Sequence, residues 1–426
     1  MIMNKMLWVL FFAICYQAAF SQQKSILYTN VTVHIGNGKT IERACVGVKE
    51  GRFDLVQQDL PGSLSSKYDS IIDLSGKHMY PGFIALNSSI GLREIDAVRA
   101  TWDASEIGEL NPHIRSLPAY NADSKIIPTV RSNGVLSVQA VPSGGVFSGL
   151  SSVFHLDGWN WEDALFAADE GLHLNWPEYS PSITTKDTAR HIKIRRKQDE
   201  IMQLLAEAKA YGADASKKER NIRLETLYRL FSGASTLYIH CNTERSIGDA
   251  LLMLDGIGIK KIVLVGAHEA YKKTALIRSF NVPVVLSRLH RLPDYSEQPT
   301  DWPFRLPSVL KDSGITVALS YTGDMEAMGT RNLAFTAGTA AAYGCSPEEA
   351  LQMITLNPAQ ILGIDKITGS IEKGKNADFF VSEGDALDMR TCKIIRACIK
   401  GRVLDLSNHQ KELYLKYCKK YGLSDP

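Results

Sequence analysis

The middle of the chain alternates short apolar runs with helix-forming segments, and this alternation restricts the fold more than any other feature. The runs recur roughly every 25–30 residues, as expected for repeated strand–helix units. They lie at Leu237–Ile239, Lys261–Val265, Val282–Leu286 and Ile315–Leu319. Consecutive parallel strands need a long crossover, usually a helix, so the pattern predicts parallel βα units. An α/β barrel of the TIM type, (β/α)8, fits these units better than a two-layer sandwich.

Both ends of the chain are instead rich in short strand-like runs. Near the amino end these are Ile26–Tyr28 and Val31–Val33, and near the carboxyl end Ala377–Val381 and Ile394–Ile399. Neither set can bury much apolar surface alone, so we predict one small β domain built from both termini. The predicted division is a signal peptide at 1–21, the first part of the small β domain at 22–81, the barrel at 82–369, the second part of the small β domain at 370–410 and a helical tail at 411–426.

The first 21 residues have the pattern of a secretory signal peptide. Lys5 gives a positive start, Met6–Phe20 is an apolar run, and Ala19 and Ser21 are small residues where a signal peptidase reads the chain. A bilayer-spanning helix needs about 20 apolar residues, which is more than this run supplies. We therefore expect an exported protein, periplasmic or secreted, without stable membrane insertion. The alternative is a short retained anchor.

Charge and cysteine content restrict the partners and the type of site. Lys plus Arg number 48 and Asp plus Glu number 46, giving a net charge of +2. This balance provides no large basic surface, so we expect no nucleic-acid partner. Without Cys15 the mature chain keeps Cys45, Cys241, Cys345, Cys392, Cys398 and Cys418. An even number permits disulfides in an exported protein, but no CxxC zinc motif occurs, and we favour buried thiols.

Two histidines follow apolar runs in the middle of the chain. His240 comes directly after the run that ends at Ile239, and His268 lies three residues after Val265. In a barrel both would lie at the carboxyl ends of successive strands, where the active sites of this architecture are found. Imidazole can bind a divalent metal or carry protons, so both are candidate metal ligands. The alternative is that they only cap strand ends.

Two further segments follow strand-like runs. Asp324 comes after the Ile315–Leu319 run and is the candidate catalytic carboxylate, as a general base or a ligand. Thr322 is equally well placed, and a turn aspartate is the alternative. The glycine-rich segment Pro142–Gly145 lacks the ending of a phosphate-binding loop, but its backbone amides could approach a substrate.

Two segments resemble the amidohydrolase superfamily, especially its imidazolonepropionase-like members. They are residues 77–92, KHMYPGFIALNSSIGL, and residues 346–381, SPEEALQMITLNPAQILGIDKITGSIEKGKNADFFV. In the second, Ser346 is predicted to cap a helix that begins at Pro347, with Glu349 as its reciprocal partner. The resemblance spans nearly the whole mature chain, loosely over 93–235. It implies a TIM-type barrel with a β-sandwich made from both termini.

The resemblance also implies positions for metal ligands, and the match is partial. The family's His-x-His pair after the first barrel strand falls on Asn87 and Ser89, which are poor zinc ligands. The later histidines of the family fall on His240 and His268, and its aspartate falls on Thr322 or, with a small shift, on Asp324. No lysine ends an evident fourth strand. The resemblance therefore predicts a degenerate site that holds at most one divalent ion, most readily zinc, weakly, or none.

Three functional hypotheses follow. The first is a hydrolase of a non-peptide carbon–nitrogen bond in an amide or cyclic amide, acting on a small molecule. The second is a non-catalytic binding or scaffold relative, present as a homo-oligomer or paired with an active paralogue. The third is an exported glycosidase, in which Trp159 and Trp161 would stack on a sugar. The same two tryptophans could instead pack as a rim over the barrel mouth.

The signal peptide leads to a direct prediction. We expect the mature chain to begin at Gln22 when the protein is made in its native host, because the small residues of the cleavage site precede that position. Intact-mass spectrometry of the purified protein measures this. A mass that still includes residues 1–21 would contradict the prediction.

Overall fold

A computed structural model describes residues 24–59, 65–179, 187–214, 219–323 and 325–423. The predicted signal peptide and Asp324 lie outside these residues. The strands, in chain order, are β1 (Ile26–His34), β2 (Thr40–Lys49), β3 (Arg52–Gln58), β4 (Ser70–Asp73), β5 (His78–Pro81), β6 (Phe83–Ser88), β7 (Val135–Ala140), β8 (Phe147–His155), β9 (Leu165–Asn175), β10 (Thr236–Cys241), β11 (Ile262–Gly266), β12 (Val284–Leu286), β13 (Val317–Leu319), β14 (Phe379–Ser382), β15 (Ile394–Ile399) and β16 (Arg402–Val403).

The helices lie mostly between the strands of the middle region. They are α1 (Ile126–Arg131), α2 (Trp161–Ala164), α3 (Thr188–Ala213), α4 (Ile222–Ser232), α5 (Glu244–Leu254), α6 (Thr274–Ser279), α7 (Trp302–Asp312), α8 (Glu326–Gly329), α9 (Leu333–Ala342), α10 (Pro347–Gln352), α11 (Leu356–Ile361) and α12 (His409–Tyr421). The capping box predicted at Ser346 and Glu349 is present at the start of α10. Within the described residues, no helix combines the length and apolar character that crossing a bilayer requires.

Strands from both ends of the chain share one sheet. Its order is β16-β15-β14-β5-β1-β2-β3, with β4 paired to β1. The two ends meet where β14 pairs antiparallel with β5, Phe379 opposite Pro81 and Ser382 opposite His78. The ring of Phe379 packs 5.3 Å from that of Tyr28 and 5.9 Å from that of Phe53, measured between centroids. The two termini therefore share a core, while the sandwich description and the domain boundaries stay predictions.

The second sheet is a nearly closed barrel with the order β13-β12-β11-β10-β9-β8-β7-β6. The predicted strands around His240 and His268 are confirmed as β10 and β11, and their pairing is parallel. A parallel bridge between Leu86 and Ser320 joins the first barrel strand to the residue after the last one. Since carboxyl ends of parallel strands face the same way, residues that follow these strands gather at one mouth.

The barrel departs from a regular (β/α)8 pattern at β8, which runs antiparallel to both β7 and β9. Only residues 141–146 connect β7 to β8, and such a short connection permits only antiparallel neighbours. The segment after β8 consequently lies at the end of the barrel opposite the mouth. At that end, Asp157 accepts a hydrogen bond of 2.7 Å from Arg131, a residue that lies just before the start of β7.

This reversal overturns one expectation. Trp159 and Trp161 follow β8, so they lie away from the mouth and do not form its rim. Trp159 is 89% exposed, whereas Trp161 packs partly against the barrel core. The glycosidase hypothesis thereby loses the side chains that were to stack on a sugar.

Buried side chains on alternate positions of the barrel strands face a common interior. Ile84, Tyr238 and Val265 belong to one buried cluster, together with Ala359 and Ile361 of α11. Side chains two residues apart lie on the same face of a strand, so His240 is on the inward face of β10 with Tyr238. All six described cysteines are free thiols, and five of them are buried, which confirms the buried-thiol interpretation.

The contact between the two termini can be tested by truncating Phe379. Phe379→Ala should lower the free energy of unfolding by about 3–5 kcal/mol, the usual cost of removing a fully buried phenylalanine ring. Ile395→Ala is the matched control, because Ile395 lies in β15 of the same sheet but is 42% exposed, and it should cost under about 1 kcal/mol. Urea unfolding measures both. Equal losses in the two variants would show that Phe379 does not join the termini.

Candidate functional site

A polar cavity of about 240 Å³ lies at the mouth of the barrel. Four positions selected from the sequence line it: Asn87 and Ser89 at the end of β6, His240 at the end of β10 and Thr322 after β13. The glycine-rich segment also reaches it, through Pro142, Ser143 and Gly144. The structure thus brings these separate segments to one place. His268 is not part of this lining, and Asp324 lies outside the described residues.

Glu326, which the sequence analysis passed over, is the carboxyl group of the cavity. Its Oε1 accepts a hydrogen bond from the Ser88 hydroxyl (2.5 Å), and its Oε2 accepts from the Ser89 hydroxyl (2.5 Å) and the Ser89 backbone N–H (2.8 Å). Burial raises the pKa of Glu326 despite these bonds. The sequence signal for Glu326 is a carboxylate at the start of the helix after the last barrel strand, two residues beyond the predicted Asp324.

The first barrel strand ends in a strained residue. Asn87 adopts a left-handed backbone conformation with φ of +52°, and its backbone N–H donates to Gln139 Oε1 over 3.0 Å. Such strain persists only where surrounding contacts hold it, and it is common at ligand sites. The two positions that resemble the family's His-x-His pair are therefore bound into the protein, Asn87 through Gln139 and Ser89 through Glu326.

His240 is held at the mouth by a second imidazole. Its Nε2 lies 2.9 Å from Nδ1 of His173, a residue of the neighbouring strand β9. The His173 ring stacks on Tyr238 with a centroid distance of 4.7 Å. Burial lowers the pKa of His240 to about 4, so its ring is neutral near pH 7. With Nε2 engaged, Nδ1 is the nitrogen that His240 offers to the cavity.

His268 has a different set of partners. Its Nδ1 lies 3.2 Å from Asp294 Oδ1, and the same oxygen lies 3.0 Å from Arg291 Nη1. The second ring nitrogen, Nε2, is buried and has no hydrogen-bond partner among the described residues. The positions of His240 and His268 after successive strands agree with the sequence-based expectation, but their role as metal ligands stays a prediction.

The predicted metal site is only partly represented in the described part of the chain. Those residues hold no group of three or more His, Cys, Asp or Glu side chains arranged for a metal ion. Asp324, the proposed carboxylate ligand, lies outside them. The buried Nε2 of His268 and the cavity-facing Nδ1 of His240 are the two donors that suit a divalent ion such as zinc.

Arg93 adds a positive charge to the cavity. Its guanidinium carbon lies 4.5 Å from the centre of the Trp102 ring, and its Nε is buried with no partner among the described residues. Cation–π contact holds the group in place without using its N–H donors. The cavity therefore combines a neutral imidazole, a carboxyl group and a guanidinium within one small volume.

Comparison with known proteins places this chain near the amidohydrolases. Residues 302–404, less than half of the chain, match the amidohydrolase family. The structure is similar to an amidohydrolase from Thermotoga maritima, with a TM-score of 0.72, 26% identity, and coverage of 89% of this chain and 99% of the other. It is also similar to A. niger ochratoxinase, with a TM-score of 0.56, 13% identity, and coverage of 90% of this chain and 96% of the other.

Curated relatives match over short segments only. N-acetylglucosamine-6-phosphate deacetylase from Bos taurus is 45% identical over 53 residues, which is 12% of this chain and 13% of that enzyme. The Rattus norvegicus enzyme is 52% identical over 40 residues, 9% of this chain and 10% of the other. The comparisons thus support an amidohydrolase family domain and the barrel fold. The imidazolonepropionase-like subfamily and the degenerate metal site stay predictions.

Gly266, the last residue of β11, allows the turn that positions His268. Its φ is +88°, and a Cβ there would lie 2.4 Å from Asn242 Oδ1. Gly374 is a matched control, since its φ is +90° and a Cβ there would meet nothing within 4 Å. Gly374→Ala should cost about 1–2 kcal/mol for the left-handed backbone alone. Gly266→Ala should cost about 0.5–1.5 kcal/mol more, because the Asn242 side chain must move and lose its hydrogen bond to Glu178. Urea unfolding compares the two, and equal costs would contradict this explanation.

Proposed function

We propose that this protein is an exported hydrolase of a non-peptide carbon–nitrogen bond in an amide or cyclic amide. One observation carries the proposal: the cavity at the barrel mouth holds the neutral imidazole of His240 beside polar side chains from β6 and from the segment after β13. The amidohydrolase match at residues 302–404 supports the same reaction class. The substrate is a small molecule, because a cavity of about 240 Å³ admits little more.

The chain's own residues suggest roles in such a reaction. The neutral ring of His240 can accept a proton or bind a cation at Nδ1. The Arg93 guanidinium lies where it could stabilise negative charge that develops on an amide oxygen, and such electrostatic stabilisation is a large term in acyl transfer. Asp324 is our proposed catalytic carboxylate. Glu326 is the carboxyl group already present in the cavity, and its raised pKa suits a group that exchanges protons.

A divalent ion, most readily zinc, would be held by His240 and His268, with Asp324 as the third ligand. When bound, such an ion polarises a carbonyl oxygen and lowers the pKa of a coordinated water. Three protein ligands are the usual number for a catalytic zinc site, whereas structural sites use four. We propose occupancy by one ion at most, held weakly, since the family's first pair of ligands is replaced by Asn87 and Ser89.

The alternative is a non-catalytic binding or scaffold protein, acting as a homo-oligomer or with an active paralogue. The bonds between Glu326 and Ser88 and Ser89 favour it, because they use the polar groups at the end of β6 within the protein itself. The two proposals differ in what the cavity at the barrel mouth has to do. A hydrolase must admit and convert a small molecule there, while a scaffold need only keep the barrel folded.

Metal analysis tests whether His240 and His268 are ligands. We expect the wild-type protein to hold at most one divalent ion, and the double variant His240→Ala with His268→Ala to hold none, because both imidazole donors are gone. His409→Ala is the matched control, since His409 is an exposed residue at the start of α12. Inductively coupled plasma mass spectrometry measures the bound ion. Unchanged content in the double variant would remove both histidines from the site, and two tightly bound ions would show that other ligands compensate.

Turnover is tested with the same proteins. A panel of a hydantoin, dihydrouracil, N-acetylglucosamine 6-phosphate and an Xaa-Pro dipeptide covers cyclic amides, an acyl amide and a peptide bond. We expect the wild type to hydrolyse an amide other than the dipeptide slowly, and the double variant to lose that activity. Hydrolysis of none of these by metal-loaded protein, or equal activity in the double variant, would favour the binding or scaffold proposal.

A further inference from the structure

A chain of polar side chains runs inside the barrel wall from Glu170 to His240. It passes through Ser151 and His173, and each of these two is fully buried. Ser151 Oγ lies 2.6 Å from Glu170 Oε1, His173 Nε2 lies 2.9 Å from Ser151 Oγ, and His240 Nε2 lies 2.9 Å from His173 Nδ1. Only the last member reaches the cavity at the mouth. The positions of the hydrogens along this chain follow from the groups that surround Glu170, at the end away from the cavity.

Glu170 is surrounded by donors. Its Oε1 also accepts from Gln139 Nε2 over 2.7 Å, and its Oε2 accepts from the Tyr238 hydroxyl over 3.0 Å. The orientation of the Gln139 amide is fixed independently, because its Oε1 accepts from the backbone N–H of Asn87. Burial raises the pKa of Glu170, and the bonds from Ser151, Gln139 and Tyr238 oppose this shift by stabilising the carboxylate. With three donors directed at it, Glu170 is an acceptor.

The Ser151 hydroxyl has one hydrogen, so if it donates to one neighbour it can only accept from the other. Its hydrogen goes either to Glu170 Oε1 or to the carbonyl oxygen of Gly171, 3.2 Å away. The Gly171 carbonyl oxygen can only accept, and so can Glu170 as a carboxylate, so in that state the hydroxyl hydrogen is not available to His173. Ser151 Oγ must therefore accept from His173, and the hydrogen between them lies on His173 Nε2.

The two imidazoles then follow in turn. His173 is fully buried, and burial disfavours the charged form of an imidazole, so the ring is neutral and carries one hydrogen. With that hydrogen on Nε2, Nδ1 of His173 is an acceptor, and the bond to His240 requires a hydrogen on His240 Nε2. The neutral His240 ring then has a lone pair on Nδ1.

We propose that Glu170 and Ser151 are positioning residues that fix the tautomer of His240, so that its Nδ1 presents a lone pair to the cavity. His240 can then accept a proton or bind a cation there, but cannot donate a hydrogen bond. The use made of that lone pair rests on the proposed hydrolase function, whereas the tautomer itself does not. A proton on Glu170 Oε1 would permit the opposite order, with N–H of His240 facing the cavity.

The tautomer can be observed without any activity. The chain from Gln22 onward, labelled with ¹⁵N at histidine and stripped of metal with chelator at pH 7.5, is measured by long-range ¹H–¹⁵N correlation. This experiment distinguishes protonated from unprotonated ring nitrogens, and His240→Gln assigns the His240 signals. We expect hydrogen on Nε2 of both His173 and His240. Hydrogen on Nδ1 of His240 in the wild type would overturn the proposal, whatever the variants do.

Two variants test the role of the positioning residues. Ser151→Ala removes the acceptor for His173, and we expect His240 to become a mixture of both tautomers. Ser137→Ala is the matched control, because Ser137 is a buried serine that contacts His155 Nδ1 at 3.3 Å in the same barrel. It should alter the His155 signals and leave His240 unchanged. An unchanged His240 tautomer in Ser151→Ala would remove Ser151 and Glu170 from this role.

Glu170→Gln is the conservative variant. The carbonyl oxygen of the glutamine can take the place of Oε1, accepting from Ser151 and Gln139, while its amide group faces the Tyr238 hydroxyl. We therefore expect Glu170→Gln to keep the wild-type tautomer and Glu170→Leu to lose it. Loss in Glu170→Gln would show that the negative charge, and not the acceptor, sets the direction, which contradicts the assignment.

Zinc affinity, measured by competition with a chromophoric chelator, links the tautomer to the proposed function. Removing a group that orients a metal-binding histidine typically weakens affinity about 10–100-fold, so we expect that loss in Ser151→Ala and less than about twofold in Ser137→Ala. The expected tautomer together with undetectable zinc binding in the wild type would defeat the metal proposal and leave this inference standing. Equal affinities in the two variants would show that the tautomer does not govern the lone pair's use.

Discussion

The candidate site depends on the contact that closes the barrel. The parallel bridge from Leu86 to Ser320 joins the first strand, β6, to the residue after the last strand, β13. Immediately above this seam, Glu326 binds the hydroxyls of Ser88 and Ser89. These residues are more than 200 positions apart in the chain, and only closure makes them neighbours. The seam therefore defines one wall of the cavity, and the histidine-bearing strands define another.

The direction of one strand separates the two ends of the barrel. Because β8 runs against its neighbours, the segments before and after it exchange the positions they would have in a regular barrel. The glycine-rich segment before β8 lies at the mouth. The two tryptophans after it lie at the far end, near the sheet formed from the termini. Six connecting residues thus determine which side chains can take part in chemistry.

The sequence predicted elements whose pattern is local and missed features that depend on distant pairing. Strands β10 and β11 and the capping box of Ser346 follow from periodicity and neighbouring residue types, and all are present. The direction of β8 and the placement of Glu326 depend on which strands become neighbours, which periodicity does not contain. His173 is not among the sequence candidates, although it lies fully buried in β9 and its ring contacts that of His240. For the candidate site, the sequence shows which residue types follow the strands, but it does not show which distant residues become their hydrogen-bond partners.

The pairing of β5 with β14 has a consequence for the order of folding. Pro81 and Phe379 are opposite each other in the sheet but nearly 300 positions apart in the chain. Until the carboxyl end is available, β5 presents an unpaired edge, and exposed strand edges are prone to wrong pairings with other chains. Closing so long a loop also costs conformational entropy before the contact contributes anything. During synthesis from the amino end, the edge of β5 therefore stays unpaired until almost the whole chain has been made. A chaperone that shields this edge would then take part in the folding of the protein.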